Sequence, residues 1–225
     1  EDGVEETQRM RENMRFLPGV GIPAAVTFVP DMADAMRGAD LVVLSVPSQA
    51  LRSVLIDLRA HVDSHMLLVN TAKGLEISTG QRLSEVVVEV LGEDVKGRFA
   101  VLSGPSHAEE VARQMPTAVT VAAYKKDTAV AVQDYFSSNY FRVYTNPDMA
   151  GVELGGALKN IIALATGMVY GLGFGDNTAA ALMTRGLTEM IRMGEMMGGE
   201  PRTFAGLSGM GDLVVTCSSR HSRNR

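Results

Sequence analysis

Short apolar runs rich in β-branched residues recur between residues 26 and 146, and stretches with helical spacing separate them. Six runs predict strands, at 26–29, 41–46, 66–70, 99–102, 118–122 and 141–144. Apolar residues every three or four positions predict helices at 32–37, 49–60, 81–91, 108–113 and 128–137. Strands that alternate with helices are typical of a sheet covered by helices on both faces. We therefore predict a doubly wound, mostly parallel α/β domain over residues 1–146.

The pattern changes at Asn146 and Pro147. Asn146 is predicted to cap a helix and Pro147 to occupy its first position, because proline suits that position. A long apolar helix is expected to about residue 170, and a second one from 178 to 197, where two glycines and a proline follow. Strand patterns become rare after residue 147. Residues 147–225 therefore predict a second domain that is all-α.

The composition indicates a globular protein and limits its partners. Of 225 residues, 46% are hydrophobic, and the formal net charge is −5. A nucleic-acid-binding surface needs clustered cations, so this charge disfavours one. The single Cys217 cannot form an internal disulfide, and no stretch of about 18 uncharged apolar residues suits a membrane span. We expect a cytoplasmic protein that neither binds nucleic acid nor spans a membrane.

Three predicted strands end in loops of unusual composition, Val46-Pro-Ser, Thr71-Ala-Lys-Gly and Ser103-Gly-Pro-Ser. Open parallel sheets bind ligands at the carboxyl ends of their strands. Ordinary turn chemistry explains any one of these loops, whereas three together favour a binding site. Lys73 would place an ammonium where a phosphate could bind, with a solvated loop lysine as the alternative. For Ser106 the alternative is a cap on a helix that begins near His107.

Lys159 is the strongest chemical signal in the chain. Its neighbours on the same helix face are Gly155 and Gly156 before it and Ile162 and Ala163 after it. A lysine on such a face either extends to solvent or is desolvated, and desolvation lowers its pKa toward the range of proton exchange. We favour the desolvated alternative, which predicts an acid–base role.

Asp212 is the carboxylate expected to orient Lys159, and Thr216 would share its helix face. A helix cap is an equally good explanation of Asp212. Lys73, if close, would lower the pKa of Lys159 further because like charges disfavour the protonated form.

Two other groups of polar residues carry weaker signals. Ser222-Arg-Asn offers hydroxyl, guanidinium and amide donors that suit a phosphate, with a solvated basic tail as the alternative. His61 and His65 have a spacing compatible with a metal but lack a third ligand nearby, so no metal site is predicted.

From about Arg11 to Arg225 the chain resembles the bacterial type of NAD(P)-dependent glycerol-3-phosphate dehydrogenase. The matching stretches are Phe16-Leu-Pro-Gly, Asn70-Thr-Ala-Lys-Gly-Leu, Leu102-Ser-Gly-Pro-Ser-His-Ala-Glu-Glu, Glu153-Leu-Gly-Gly-Ala-Leu-Lys-Asn-Ile-Ile-Ala, Gly206-Leu-Ser-Gly-Met-Gly-Asp-Leu and Ser222-Arg-Asn-Arg. The resemblance implies a Rossmann-like fold and reversible reduction of dihydroxyacetone phosphate to sn-glycerol 3-phosphate, a precursor of glycerophospholipids. It implies NAD or NADP as the cofactor, and it leaves a homodimer open.

The resemblance also implies a role for each residue that matches the family's motifs. Lys159 would be the proton donor and acceptor. The implied substrate contacts are Lys73, Gly104, Ser106, Lys159, Asp212, Ser222, Arg223 and Asn224. The implied cofactor contacts are Lys73, Ala108 and Arg223. Phe16 is a weaker cofactor candidate, since an aromatic residue before Leu-Pro-Gly could equally be a packing anchor.

The chain departs from the family at both ends. The family opens with a G-x-G-x-x-G turn that binds the pyrophosphate at a helix amino end, and no such turn precedes Arg11. The chain begins at Glu1 without a signal peptide and stops at Arg225 without a cap. We expect that a βαβ unit of roughly 30 residues and the last helices are missing. The alternatives are a truncated, inactive folded or assembly fragment and a related dehydrogenase for another small carbonyl substrate.

Overall fold

The computed structural model describes residues 4–219 and residue 222. A helix, α1 (Val4–Met10), and a hairpin of β1 (Glu12–Asn13) and β2 (Leu17–Gly21) come first. The main sheet consists of β3 (Leu41–Leu44), β4 (Leu67–Asn70), β5 (Phe99–Ser103), β6 (Thr117–Ala123) and β7 (Phe141–Asn146). The helices between its strands are α2 (Met32–Met36), α3 (Leu51–Leu58), α4 (Leu83–Leu91), α5 (Ala108–Ala112) and α6 (Lys126–Phe136). Four helices follow, α7 (Met149–Gly171), α8 (Asp176–Met196), α9 (Pro201–Phe204) and α10 (Asp212–Ser218), with a π-helical turn at Leu207–Gly211.

The five strands of the main sheet lie side by side in sequence order. Adjacent strands are parallel except β5 and β6, which pair antiparallel. One core packs Leu55 of α3 and Val86 of α4 against Leu68, and the other packs Val132 of α6 against Val69 and its neighbours. Helices therefore cover both faces of the sheet, and the predicted Rossmann-like, mostly parallel α/β class followed by helices is confirmed.

The predicted strand at 26–29 is wrong. These residues have no regular secondary structure. The Val26 N–H donates to the Pro23 carbonyl at 3.0 Å, and the Val26 carbonyl accepts from the Arg11 guanidinium at 2.9 Å. β-Branched residues form a strand only where a neighbouring strand supplies backbone partners, and β3, the next strand along, pairs with β4 alone in the described chain.

The start of α7 also differs from the prediction. Asp148, and not Asn146, caps this helix, because its Oδ1 accepts from the Gly151 N–H at 2.8 Å. Its Oδ2 accepts from the Glu200 N–H, also at 2.8 Å, and so ties α7 to the start of α9. Asn146 instead accepts from the Asp148 N–H, and Pro147 precedes the helix. Asn, Asp and Pro all favour helix starts, so the sequence located the boundary only to within two residues.

The long helix α7 packs against the sheet at one end and against helices along the rest of its length. Met149 and Val152, in its first turn, belong to the core of the sheet, whereas Leu154 and Ala163 pack with α8, α9 and α10. The change from strands to helices thus lies where the sequence places it. The division into domains at residues 146 and 147 remains a prediction.

Among the described residues, α7 is also the one helix long and apolar enough to cross a membrane, with a mean hydropathy of 1.3. Its length and composition are weak evidence for a membrane span, because the core helix of a folded protein has the same properties. Its buried Glu153 and Lys159 form ion pairs with Arg82 and Asp212 inside the protein. These contacts are those of a core helix.

Candidate active site

Two consecutive glycines let α7 approach its neighbours closely just before Lys159. A Cβ atom on Gly156 would lie 2.9 Å from the Ser103 hydroxyl at the end of β5. A Cβ atom on Gly155 would lie 2.6 Å from the carbonyl oxygen of Ser208 in the π-helical turn. Lys159 follows one turn later, and the close approach therefore brings its amine to the carboxyl edge of the sheet.

The π-helical turn in front of α10 depends on another glycine. A Cβ atom on Gly209 would collide with the Phe204 backbone. Gly211 precedes α10 without a side-chain cap, and Asp212 is the first residue of that helix. The Asp212 side chain does not cap the helix, so its carboxylate is available to other groups.

Asp212 bridges two lysine ammonium groups that come from distant parts of the chain. The Lys159 Nζ donates to the Asp212 Oδ1 at 2.5 Å and to the Thr216 hydroxyl at 2.8 Å. The Lys73 Nζ donates to the Asp212 Oδ2 at 2.6 Å. Thr216 in turn donates to the Asp212 carbonyl at 2.6 Å, which holds the hydroxyl in place. One carboxylate therefore orients both cations.

The surroundings of Lys159 lower the pKa of its amine. Burial is the largest cause, since the residue is only 7% exposed, and the nearby Lys73 ammonium lowers the pKa further. The Asp212 carboxylate acts in the opposite direction but does not cancel these effects. The desolvated alternative for Lys159 is therefore correct. Such an amine exchanges its proton more readily near neutral pH than an ordinary lysine does.

Lys73 follows β4 and meets the loop that follows β5. Besides Asp212, its ammonium donates to the Gly104 carbonyl at 2.9 Å. Gly104 has a φ of +143° and is buried against Val119, so no other residue fits this position easily. The Lys73 side chain is 25% exposed, and its ammonium therefore lies where the buried cluster meets solvent.

Ser106 lies beside the same loop but does not cap the next helix as predicted. Its hydroxyl donates to the Gly104 carbonyl at 3.2 Å, and His107 occupies the cap position of α5 without a side-chain cap. The helix begins one residue later than a Ser106 cap would require, and the hydroxyl bonds within its own loop. Ala108 is exposed in the first turn of α5. The structure thus brings Lys73, Gly104 and Ser106 together.

The remaining predicted residues lie elsewhere or outside the described residues. Phe16 is in the turn between β1 and β2, 72% exposed, with the Arg15 guanidinium 5.0 Å from its ring centre. An exposed ring of this kind is not a packing anchor. Ser222 is half-buried, and its N–H donates to the Ser219 carbonyl at 3.1 Å. Arg223 and Asn224 lie outside the described residues.

Sequence reasoning assigned no role to Glu153, although it begins one of the matching stretches. Its buried carboxylate accepts from the Ser84 N–H at 2.8 Å, the Ser84 hydroxyl at 2.5 Å and the Arg82 guanidinium at 3.1 Å. Burial raises the pKa of Glu153. A carboxylate within an apolar helix pattern is a signal that could have indicated a buried partner. Glu153 joins α7 to the start of α4.

Ser103, the last residue of β5, begins one of the three loops noted in the sequence but was given no role of its own. It is 4% exposed, and its hydroxyl has no hydrogen-bond partner among the described residues. The position of a Cβ atom on Gly156 is 2.9 Å from this hydroxyl and 3.4 Å from the Lys73 side chain. The hydroxyl is therefore buried against α7 at Gly156, where the stem of Lys73 also packs.

We expect Ser103→Ala to stabilise the protein. A buried hydroxyl without a partner costs about 1–3 kcal/mol, so its removal should raise the free energy of unfolding by about 1 kcal/mol. Thermal or urea unfolding would measure this change. Ser84→Ala is the matched control, because that buried hydroxyl donates to Glu153 and its loss should destabilise the protein. A loss of stability in Ser103→Ala as large as in Ser84→Ala would contradict the expectation and indicate a bound water.

The sheet and the lysine cluster together define the class. The protein is a Rossmann-like α/β protein that carries a buried lysine–carboxylate cluster at the carboxyl edge of its sheet, the edge at which such sheets bind nucleotides. A family model described as the N-terminus of NAD-dependent glycerol-3-phosphate dehydrogenase matches residues 1–129, and the model of the C-terminus matches residues 148–225. The chain belongs to the NAD-dependent glycerol-3-phosphate dehydrogenase family, which confirms the resemblance seen in the sequence.

Relatives of the chain carry the same description. A protein of Syntrophomonas wolfei described as glycerol-3-phosphate dehydrogenase (NAD(P)+) is 65% identical over the whole chain, and one of Moorella thermoacetica is 59% identical over 95% of it. The chain spans 66% and 63% of the length of these relatives. The crystal structure of glycerol-3-phosphate dehydrogenase from Coxiella burnetii is 40% identical, with a TM-score of 0.93 over 99% of this chain and 67% of that chain.

Proposed function

We propose that the protein interconverts dihydroxyacetone phosphate and sn-glycerol 3-phosphate with NAD(P)H or NAD(P)+. The observation that carries the proposal is the buried Lys159 amine, which is held by Asp212 and lies beside Lys73. The names of the relatives support this substrate pair. In this proposal the reaction takes place in the cytoplasm and supplies glycerophospholipid synthesis, and a homodimer stays a prediction.

The residues present fit the reactive end of a dinucleotide cofactor. The carboxyl ends of β4 and β5 carry Lys73 and the tight Gly104 loop, and exposed Ser106 and Ala108 follow. These are the positions at which parallel sheets bind dinucleotides. We propose Lys73, Ala108, Arg223 and, more weakly, Phe16 as its contacts. When bound there, the cofactor would supply the hydride for the carbonyl carbon or accept it from the alcohol carbon.

Lys159 is proposed to move the proton that accompanies the hydride. In the direction of reduction its ammonium protonates the developing alkoxide, and in the direction of oxidation the neutral amine takes the proton of the hydroxyl. Asp212 and Thr216 accept two of the three N–H groups of Lys159, which leaves the third for the substrate oxygen. The lowered pKa makes the neutral amine easier to reach than in an ordinary lysine, which supports a role for one residue in both directions.

Lys73 is proposed to contact the substrate. Its ammonium also donates two of its three N–H groups, to Asp212 and Gly104, and its side chain is partly exposed. The third N–H can meet an oxygen of a phosphorylated substrate. We propose Gly104, Ser106 and Asp212 as further contacts, together with Ser222, Arg223 and Asn224, the last two of which lie outside the described residues.

An assay of the intact protein tests the proposed function. Dihydroxyacetone phosphate should oxidise NADH or NADPH rapidly, whereas dihydroxyacetone without the phosphate should react much more slowly, because the bound phosphate positions the ketone. Comparison of the two cofactors also shows which one the protein prefers. Faster reaction with a different small carbonyl compound would favour a related dehydrogenase. A folded protein that binds the triose phosphate but turns nothing over would favour the inactive fragment.

A further inference from the structure

A buried carboxamide holds the backbone directly before Lys73. Asn70, at the end of β4, is completely buried. Its side-chain oxygen accepts from the Ala72 N–H at 3.1 Å, and its side-chain nitrogen donates to the Ala72 carbonyl at 3.1 Å. The backbone N–H and the backbone carbonyl of Ala72 are thus both hydrogen-bonded to the side-chain amide of Asn70. The peptide that leads into Lys73 is therefore fixed in position and in orientation.

A second carboxamide holds the backbone after Lys73. Gln49, in the short 3₁₀ helix Ser48–Ala50 after β3, donates to the Leu75 carbonyl at 2.8 Å and accepts from the Ile77 N–H at 3.0 Å. The two arrangements are alike, since each uses one amide group to bond a backbone carbonyl and a backbone N–H. We call Asn70 and Gln49 the carboxamide clamps.

The two residues between the clamped segments have little freedom. Gly74 has a φ of +142°, and a Cβ atom there would lie 3.0 Å from the Ser48 hydroxyl. The loop after β4 therefore packs closely against Ser48, the residue before Gln49. A shift in either clamp is expected to move Lys73, because only Lys73 and Gly74 separate the two clamped residues, Ala72 and Leu75.

We propose that Asn70 and Gln49 are positioning residues that act through Lys73. They hold its ammonium between the Asp212 carboxylate and the Gly104 carbonyl, where it meets the phosphorylated substrate. The inference rests on the proposed function, in which Lys73 contacts that substrate. In this proposal neither clamp contacts the substrate itself.

The position of Lys73 matters for geometric reasons. Its contacts with Asp212 and Gly104, 2.6 and 2.9 Å long, are lost when the ammonium moves by about an ångström. A misplacement of that size can cost on the order of 10²-fold in rate even when it arises far from the reacting atoms. A clamp variant should therefore lower kcat/KM by more than its loss of stability would explain.

The test compares the clamps with a carboxamide outside the site. Gln49→Glu and Asn70→Asp keep the shape of each side chain but remove the N–H donated to the backbone carbonyl. Gln133→Glu is the matched control, because Gln133 donates to the Val143 carbonyl at 2.6 Å and joins α6 to β7. Since Asn70→Asp buries a carboxylate and could fail to fold, the exposed Gln49 supplies the variant that keeps the fold.

We expect Gln49→Glu to raise the KM for dihydroxyacetone phosphate and to lower kcat/KM by on the order of 10²-fold, while Gln133→Glu leaves both constants near their original values. In a crystal structure of Gln49→Glu, the Lys73 Nζ should be beyond hydrogen-bond distance of the Asp212 Oδ2. Equal kcat/KM values in the two variants at equal melting temperatures, or an unmoved Lys73, would overturn the proposal. If the unaltered protein turns over no triose phosphate, the proposed function fails, and the position of Lys73 in the variant still decides whether the clamps act on it.

Discussion

Lys159→Ala in the intact protein should lower kcat by a factor on the order of 10² or more, as expected for the loss of a general acid–base group. The physical reason is the placement of a buried amine with a lowered pKa beside Asp212 and Lys73. The remaining ammonium, Lys73, stays bound to Asp212 and Gly104, and its third N–H is proposed to contact another oxygen of the substrate. Steady-state rates of both directions at several pH values measure the loss.

Two comparisons show whether the loss reflects proton transfer. Lys126→Ala removes an exposed lysine at the start of α6 and should leave turnover unchanged. A small primary amine added to Lys159→Ala should restore part of the rate, because it can enter the space left by the side chain and exchange a proton there. Unchanged turnover in Lys159→Ala would remove this residue from the mechanism.

Asp212→Asn should destabilise the protein and move its pH dependence. The variant leaves two ammonium groups facing each other without their carboxylate. Loss of one partner of a buried ion pair costs about 3–5 kcal/mol, and the lower end applies here because the partly exposed Lys73 can turn to solvent. A loss of about 3 kcal/mol corresponds to a fall in melting temperature of about 6–12 °C in a protein of this size.

The pH dependence of Asp212→Asn follows from the sign of the carboxylate's effect. Asp212 raises the pKa of Lys159, so its removal lowers that pKa further. Reduction uses the protonated amine. As the pH is raised, the rate of reduction should therefore begin to fall at a lower pH in the variant than in the unaltered protein. Oxidation uses the neutral amine, and its rate should begin to rise at lower pH. Rate profiles of both reactions measure the two shifts.

Glu153→Gln is the matched control for Asp212→Asn. It alters a different buried carboxylate, which lies on α7 and bonds Ser84 and Arg82 but neither lysine. It should lower the melting temperature but leave both pH profiles in place. Profiles of Asp212→Asn that coincide with those of the unaltered protein would show that the carboxylate does not tune Lys159.

Local patterns in the sequence were sufficient to predict the fold class and to single out one residue of the site, Lys159. The runs that form β4 to β6 are largely apolar because both faces of the sheet are covered there, and that pattern can be read residue by residue. Lys159 could be recognised because its small and apolar neighbours lie within one turn of the same helix. Information within about four positions was enough in both cases.

Only the tertiary structure showed which residues that lie far apart in the sequence contact each other. Asp212 is separated from Lys73 by 139 positions and from Lys159 by 53, so its choice of two ammonium groups over a helix cap could not be read locally. The apolar run at 26–29 failed as a strand because strand formation requires a neighbour, and the unpartnered hydroxyl of Ser103 exists only because α7 packs over it. Sequence determines which side chains are able to do chemistry, whereas packing determines which of them meet, because hydrogen bonds and ion pairs form between groups that the chain brings together from far apart.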